Sequence, residues 1–205
     1  MYTADLSTTD QKFAARAESI ALYRELTGLR SLPEGKQYWT LANRQSTAPV
    51  SEIEQCVAAG LLSKRQFHGV DFDPDIIAAN KADHPTAHWH CGSWENVISE
   101  NEFNPAMIYL DTTGTADCKR TAKLITRTMQ LAPIGCVLLA NVMLTNPYDG
   151  SICDPQVLLS NIADSSTEAE LDAWGWSSLR AFEYSSGRTR MLTVALMRRA
   201  IAAVS

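Results

Sequence analysis

Between Gln66 and Asp73 the chain reads QFHGVDFD, a short apolar run that stops abruptly in carboxylates. Phe67, Gly69 and Val70 have the character of a strand buried in a parallel sheet, and Pro74 marks the start of the next helix. Asp71 then falls at the strand's carboxyl end. In open α/β sheets that end faces the ligand crevice, and an acid there commonly grips the two hydroxyls of a ribose. The segment therefore predicts a doubly wound sheet and a nucleoside-containing ligand.

The remainder of the chain repeats the strand-helix alternation. Residues 9–27 have rough helical spacing at Phe13, Ala17, Ile20 and Leu26, with Gly28 as the stop. Gln37 to Asn43 (QYWTLAN) is predicted to be the first strand. Ser51 and Glu54 form a capping box that opens a helix to about Ala59. A helix over Pro74–Lys81 and a short strand over Thr86–His90 follow the QFHGVDFD strand. AMIYLD, Ala106 to Asp111, is another apolar strand ending in an acid. Cys118, Ala122, Ile125 and Met129 give the helix over Ala116–Gln130 its apolar stripe. Cys136–Val142 is a buried strand, residues 154–163 are a candidate helix, and Leu179–Tyr184 and Met191–Arg198 form a hairpin about a turn at Ser186-Gly187. Such alternation implies a mostly parallel sheet with helices on both faces. The expected organisation is an N-terminal helical extension, residues 1–35, packed on an α/β domain of residues 36–205.

Composition narrows the class. At 45% hydrophobic and 20% charged, 205 residues suit one globular domain with its own core. The apolar runs are too short to cross a bilayer. Five scattered cysteines without CxxC spacing suggest reduced thiols and a cytoplasmic setting. A formal net charge of -5 argues against strong nonspecific binding to nucleic acid.

In this order of elements the chain resembles the class I S-adenosylmethionine-dependent methyltransferases. Three stretches carry the resemblance: Gly69-Val70-Asp71-Phe72-Asp73 as strand two, Leu131-Ala132-Pro133-Ile134-Gly135-Cys136-Val137-Leu138 as the "LxPGG" turn into strand five, and the closing hairpin. The resemblance covers roughly residues 37–199. It implies a Rossmann-like, methyltransferase-type fold, S-adenosylmethionine as cofactor, and cofactor contacts at Asn43, Arg44, Asp71, Phe72, Ser93 and Trp94. It also implies that Asp111 and Thr112 lie where the acceptor meets the methyl donor. One departure stands out. The glycine-rich turn that normally follows strand one is replaced by Leu41-Ala42-Asn43-Arg44-Gln45-Ser46-Thr47-Ala48-Pro49, without a glycine. Asn43 is the residue there best able to take a left-handed turn.

Each candidate also has a structural alternative. Asp71 and Asp73 are possible helix caps, with Asp73 the better one. Ser93 could cap a helix and Trp94 could be core rather than an adenine-stacking ring. Asp111 could orient a nucleophile or cap the next helix. It lacks the prolines of the tetrad that amino-methylating enzymes of nucleic acids carry. Asn146-Pro147-Tyr148 is read as a turn. His84, His88, His90 and Cys91 are the one metal-like grouping, but zinc needs four convergent ligands. They are taken as solvent-facing strand residues, and no metal is expected. Lys119, Arg120, Lys123 and Arg127 make a positive stripe on one helix face, by default a solvated one. Two rival functions remain open at this point: a scaffold that has lost its cofactor loop, and a nicotinamide-dependent oxidoreductase, which lacks G-x-G-x-x-G. The acceptor is a small molecule, a protein or a nucleic acid.

Overall fold

The computed structural model describes residues 10–146, 149–164, 175–186 and 189–200. One seven-stranded sheet organises them, in the order β3-β2-β1-β4-β5-β7-β6. The strands are β1 (Gln37–Leu41), β2 (Phe67–Asp71), β3 (His88–Cys91), β4 (Pro105–Thr115), β5 (Val137–Met143), β6 (Trp176–Ser186) and β7 (Thr189–Arg198). The first five are mutually parallel, and β7 inserts antiparallel between β5 and β6. This is the expected mostly parallel sheet with its terminal antiparallel pair. Gly187 of the expected turn, Pro147-Tyr148 and Trp174 lie outside the described residues.

Helices cover both faces because the strands alternate apolar side chains to both sides. Helices α1 (Asp10–Thr27), α2 (Glu52–Ala58) and α3 (Pro74–Asp83) pack Ile20, Tyr23, Ile53 and Ile77 against Tyr38, Phe67, Tyr109 and Leu139. Helices α4 (Trp94–Glu100), α5 (Lys119–Leu131) and α6 (Pro155–Asp164) pack Trp94, Ile98, Ile125 and Leu158 against Trp39, Val70, Leu110 and Leu138. Both cap residues hold, but the box at α2 is only half formed: Ser51 N–H bonds Ala48 O at 2.9 Å while the Glu54 carboxylate pairs with Lys64. Ser51 Oγ accepts from Glu54 N–H at 3.4 Å, and Asp73 Oδ1 accepts from Asp75 N–H at 2.9 Å, with Pro74 in the first turn. Lys119, Arg120, Lys123 and Arg127 occupy the exposed face of α5.

Several boundaries differ from the sequence reading, β6 among them at Trp176–Ser186 rather than Leu179–Tyr184, and two of them lie at the ligand end of the sheet. β4 runs four residues past Asp111 to Thr115, and α5 starts at Lys119 rather than Ala116. The extra length comes from Ala116, whose N–H bonds Met143 O at 2.9 Å and keeps the chain alongside β5. Cys118, not Asp111, therefore holds the cap position of α5. The histidines also sort differently. His84 is fully buried and bonded to Ser46 O at 3.0 Å, so it is no partner of His88 and His90. Its place beside them is taken by His68 of β2.

Gly69 shows how closely the sheet is packed. A Cβ there would lie 2.5 Å from Trp89 Cζ3 and 2.7 Å from Ala42 Cβ. Neither neighbour can withdraw, since Trp89 is buried with its Nε1 donating to His84 O at 3.1 Å. Gly69→Ala is expected to cost about 1–3 kcal/mol through overpacking. Thermal denaturation should register this as a drop of several degrees in Tm.

Candidate functional site

The strand order reverses between β1 and β4, and ligand crevices open at such switch points beyond the carboxyl ends of the strands. A cleft of about 560 Å³ lies there, walled by the segments that leave β1, β2, β3 and β4. Asn43, Asp71, Phe72, Ser93, Trp94, Asp111 and Thr112 all belong to its wall. Seven of the eight residues singled out in the sequence are thus brought together. Arg44 is the exception.

Asp71 ends β2, and its carboxylate is turned back toward the chain at the cleft rim, where Oδ1 accepts from Asp73 N–H at 2.9 Å. Burial raises its pKa. The Asp73 amide counters this, the Asp73 charge adds to the rise, and the Phe72 amide opposes it. The next residue, Phe72, exposes 84% of its surface. A large apolar ring left in water at a cleft mouth loses the benefit of burial until something covers it.

Ser93 and Trp94 divide between the two readings given above. Ser93 Oγ accepts from Asn96 N–H at 3.4 Å, which makes it the cap of α4. Trp94 is 2% exposed, its Nε1 donates to Thr128 Oγ1 at 2.8 Å, and its ring meets Trp39 and Phe103 edge-on. Trp94 is core, and the exposed aromatic of this cleft is Phe72. The sequence offered both rings as contacts and had no means of seeing which one was already packed.

The segment after β1 is pinned to α3. Asn80 Nδ2 donates to Asn43 O at 3.1 Å, Gln45 N–H donates to Asn80 Oδ1 at 2.7 Å, and His84 binds Ser46 O. Arg44 turns away from the cleft to Asn80 Oδ1 (3.1 Å) and Asp83 Oδ2 (2.6 Å). Its expected place near the cofactor is therefore corrected: two acceptors on α3 hold the guanidinium. Asn43 takes no left-handed turn, because no described residue other than glycine has positive φ.

At the other end of the cleft, Asp111 anchors a buried polar group. Its Oδ2 lies 3.0 Å from Lys12 Nζ of α1, both side chains being largely buried. Its Oδ1 accepts from Asn141 Nδ2 at 2.6 Å. Asn141 also donates to the Tyr184 hydroxyl at 2.7 Å, while its backbone carbonyl accepts from Thr112 Oγ1 at 2.9 Å. Burial and the neighbouring Asp111 charge push the Tyr184 hydroxyl up to about 12, so it stays protonated at neutral pH. Close beside them, Gly114 lets the backbone touch α5, since a Cβ there would fall 1.8 Å from Thr121 Oγ1. The Cys118 thiol, also in the cleft wall, has a lowered pKa because the Thr121 amide at the start of α5 favours its thiolate.

Lys12, Cys118, Asn141 and Tyr184 were not read from the sequence. Asn141 left a usable signal: it is a lone amide inside the otherwise apolar run Cys136–Val142, and a buried amide needs partners. Lys12 left none, because its partner lies 99 residues away.

No protein-family model matches this chain, and no curated protein matches it in sequence. Solved structures do match it in shape. Trm5b from Pyrococcus abyssi superposes with a TM-score of 0.61 at 9% identity, over 98% of this chain. The chain spans only 52% of that protein's length. Fibrillarin from Aeropyrum pernix, solved with natively bound S-adenosyl-L-methionine, gives a TM-score of 0.52 at 14% identity, covering 85% of this chain and 73% of its own. Geranyl diphosphate C-methyltransferase from Streptomyces coelicolor A3(2), in complex with S-adenosyl-L-homocysteine, gives 0.56 at 9% identity, covering 92% and 83%. With the strand order and the antiparallel β7 insertion, these similarities show that the chain has the fold of the class I S-adenosylmethionine-dependent methyltransferases.

Proposed function

We propose that the protein binds S-adenosylmethionine in the cleft at the switch point and methylates an acceptor there. The observation that carries this reading is the pairing of Asp71 with Phe72. A carboxylate at the end of β2 stands next to an aromatic ring that is 84% exposed. One can accept from two ribose hydroxyls and the other can stack on a base. When bound, the cofactor supplies an electrophilic methyl group on a sulfonium. The chain's own part is mainly positional, since methyl transfer depends above all on alignment of nucleophile and donor. Asp111, held by Asn141 and Lys12, would accept a hydrogen bond from the acceptor, and the protonated Tyr184 lies beyond Asn141 as a further hydrogen-bonding group. Thr112 keeps this corner rigid through Asn141 O. Solved structures of similar shape include an rRNA methylase and a geranyl diphosphate C-methyltransferase, which supports a nucleic-acid or small-molecule acceptor over a protein.

Calorimetry with S-adenosylmethionine and S-adenosylhomocysteine tests the reading, and no heat of binding with either would sink it. A second, independent readout uses Cys118. Saturating S-adenosylhomocysteine should slow alkylation of Cys118 at least several-fold, as followed by peptide mass spectrometry. Cys56 and Cys136, both buried with raised pKa values, should resist alkylation with or without ligand.

One observation favours the scaffold alternative. The glycine-free first turn is fastened to α3 by its own backbone groups. Under that reading Cys118 reacts at the same rate with and without S-adenosylhomocysteine.

A further inference from the structure

Charged helices of this fold mix their signs. Helix α1 carries three acids and three bases, and α3 places Lys81 between Asp75 and Asp83. Helix α5 is the exception. Its sequence, KRTAKLITRTMQL, holds four cations, Lys119, Arg120, Lys123 and Arg127, and no acid. At 3.6 residues per turn the four fall within an arc of about 100°, away from the buried Ala122, Ile125 and Met129. All four are exposed. Among the described residues none of them forms an ion pair, the Glu95 and Glu100 carboxylates of neighbouring α4 included. Arg127 has a neutral partner, Gln130 Oε1 at 3.2 Å. The fold gains nothing from this row. Lys119 and Arg120 stand in the first turn, where the helix dipole favours anions. Lys119, Lys123 and Arg127 recur at four-residue steps, where like charges repel. An uncompensated positive row thus stands on a chain whose net charge is -5.

Resting on the reading above, we propose that this row is the track on which a single-stranded nucleic acid lies while it presents one of its units to the cleft as methyl acceptor. Arg120 belongs to the cleft wall, together with Cys118 and Leu124. The row therefore starts at the mouth of the site, and Arg127 stands about 12 Å along the helix from Lys119. A polymer with one charge per unit can meet several cations in succession, and each phosphate neutralised releases counterions. The acidic balance of the chain repels a phosphate backbone elsewhere and confines it to the row. A single track suits one strand better than a duplex with its two backbones. A lipid surface is a poorer match. An interfacial helix inserts apolar side chains beside its cations, whereas Ala122, Ile125 and Met129 of α5 are already packed in the core.

The test follows the anisotropy of a labelled oligouridylate of about twenty nucleotides over a range of salt, with S-adenosylhomocysteine calorimetry alongside. Each phosphate contact on a single strand contributes about 0.7 to the log-log salt slope. The triple variant Lys119→Gln/Lys123→Gln/Arg127→Gln should therefore flatten the slope by about 2 and weaken binding at low salt about tenfold or more. Its affinity for S-adenosylhomocysteine should stay within about twofold of wild type, because none of the three lines the cleft. Its Tm should equal or exceed that of wild type once the like-charge contacts are gone. In the wild type, bound oligouridylate should also slow alkylation of Cys118 several-fold, since Cys118 borders both the row and the cleft. Wild-type protein that binds S-adenosylhomocysteine but not the oligouridylate overturns the proposal and leaves the cofactor reading standing. So does an unchanged salt slope in the triple variant, or a Cys118 rate untouched by bound oligouridylate. A drop of several degrees in the variant's Tm would show that the row serves the fold, with the same consequence. Phosphatidylserine vesicles or polyglutamate bound as tightly as the oligouridylate would hand the row to another partner and overturn the proposal. A wild type that does not bind S-adenosylhomocysteine takes both down.

Discussion

Asp71→Ala is expected to lower affinity for S-adenosylhomocysteine by about a hundredfold while leaving the fold nearly intact. Two hydroxyl groups donating to an ionised carboxylate contribute about 1.5–3 kcal/mol each, and each 1.4 kcal/mol is tenfold in Kd. The folded chain asks little of this side chain in return. It accepts backbone bonds from the turn that leads into α3, but the helix cap is Asp73, and burial already works against the ionised form of Asp71. A loss of about 1 kcal/mol, or ~2–4 °C in Tm, is the expected structural penalty. Calorimetry and thermal denaturation on the same preparation separate the two effects. A variant that melts like wild type and still binds with wild-type affinity removes Asp71 from the site and, with it, the main support for the proposed function. Phe72→Ala is the companion measurement, because a ring 84% exposed contributes little to stability and should alter binding alone.

Some of this site was legible in the sequence because its signal is local. Asp71 is marked by an apolar run that ends at an acid before a proline, so strand, strand end and helix start lie within eight residues. Ser51 and Asp73 declared themselves as caps for the same reason. The mostly parallel sheet and its antiparallel end followed from alternation together with the closing hairpin. What the sequence hid are choices made in three dimensions. Trp94 and Phe72 are both aromatics beside strand ends, and only packing against Trp39 and Phe103 decides that the first is core. Arg44 follows Asn43 directly, yet Asn80 and Asp83 draw it away from the cleft. Lys12 reaches Asp111 across half the chain. A polar residue in a loop or at a helix start carries no mark of its distant partner.

The same blindness hid the arrangement behind the second large effect. His68, His88 and His90 of adjacent strands meet on the sheet face that carries Trp39. His68 Nδ1 and His90 Nε2 are 3.2 Å apart, and their rings lie within 13° of parallel with centroids at 5.4 Å. That separation places two imidazoles edge to edge, so one nitrogen donates and the other accepts. Trp39 stacks on both rings at 4.6 and 5.0 Å, and His88 stacks on His68 at 4.4 Å. A second proton on this group would be buried and would repel its neighbours. Burial, followed by His88 and His90, lowers the His68 pKa to about 3, and burial also lowers that of His90. A histidine with a depressed folded-state value favours folding only while neutral. Its contribution is complete above the ordinary value of 6.5 and drains away as pH falls from there toward 3. At ~1.4 kcal/mol per pH unit, His68 alone should remove about 3 kcal/mol of stability between pH 7 and pH 4. Urea denaturation at the two pH values gives the wild-type difference, and His68→Gln should shrink it by about that amount. Carboxylates elsewhere titrate over the same window, including the buried Glu52, whose raised pKa acts in the opposite direction. They are common to both proteins and cancel in the comparison. Equal acid sensitivity in the two proteins would mean that the imidazole pair opens to solvent and takes up protons without cost to the fold.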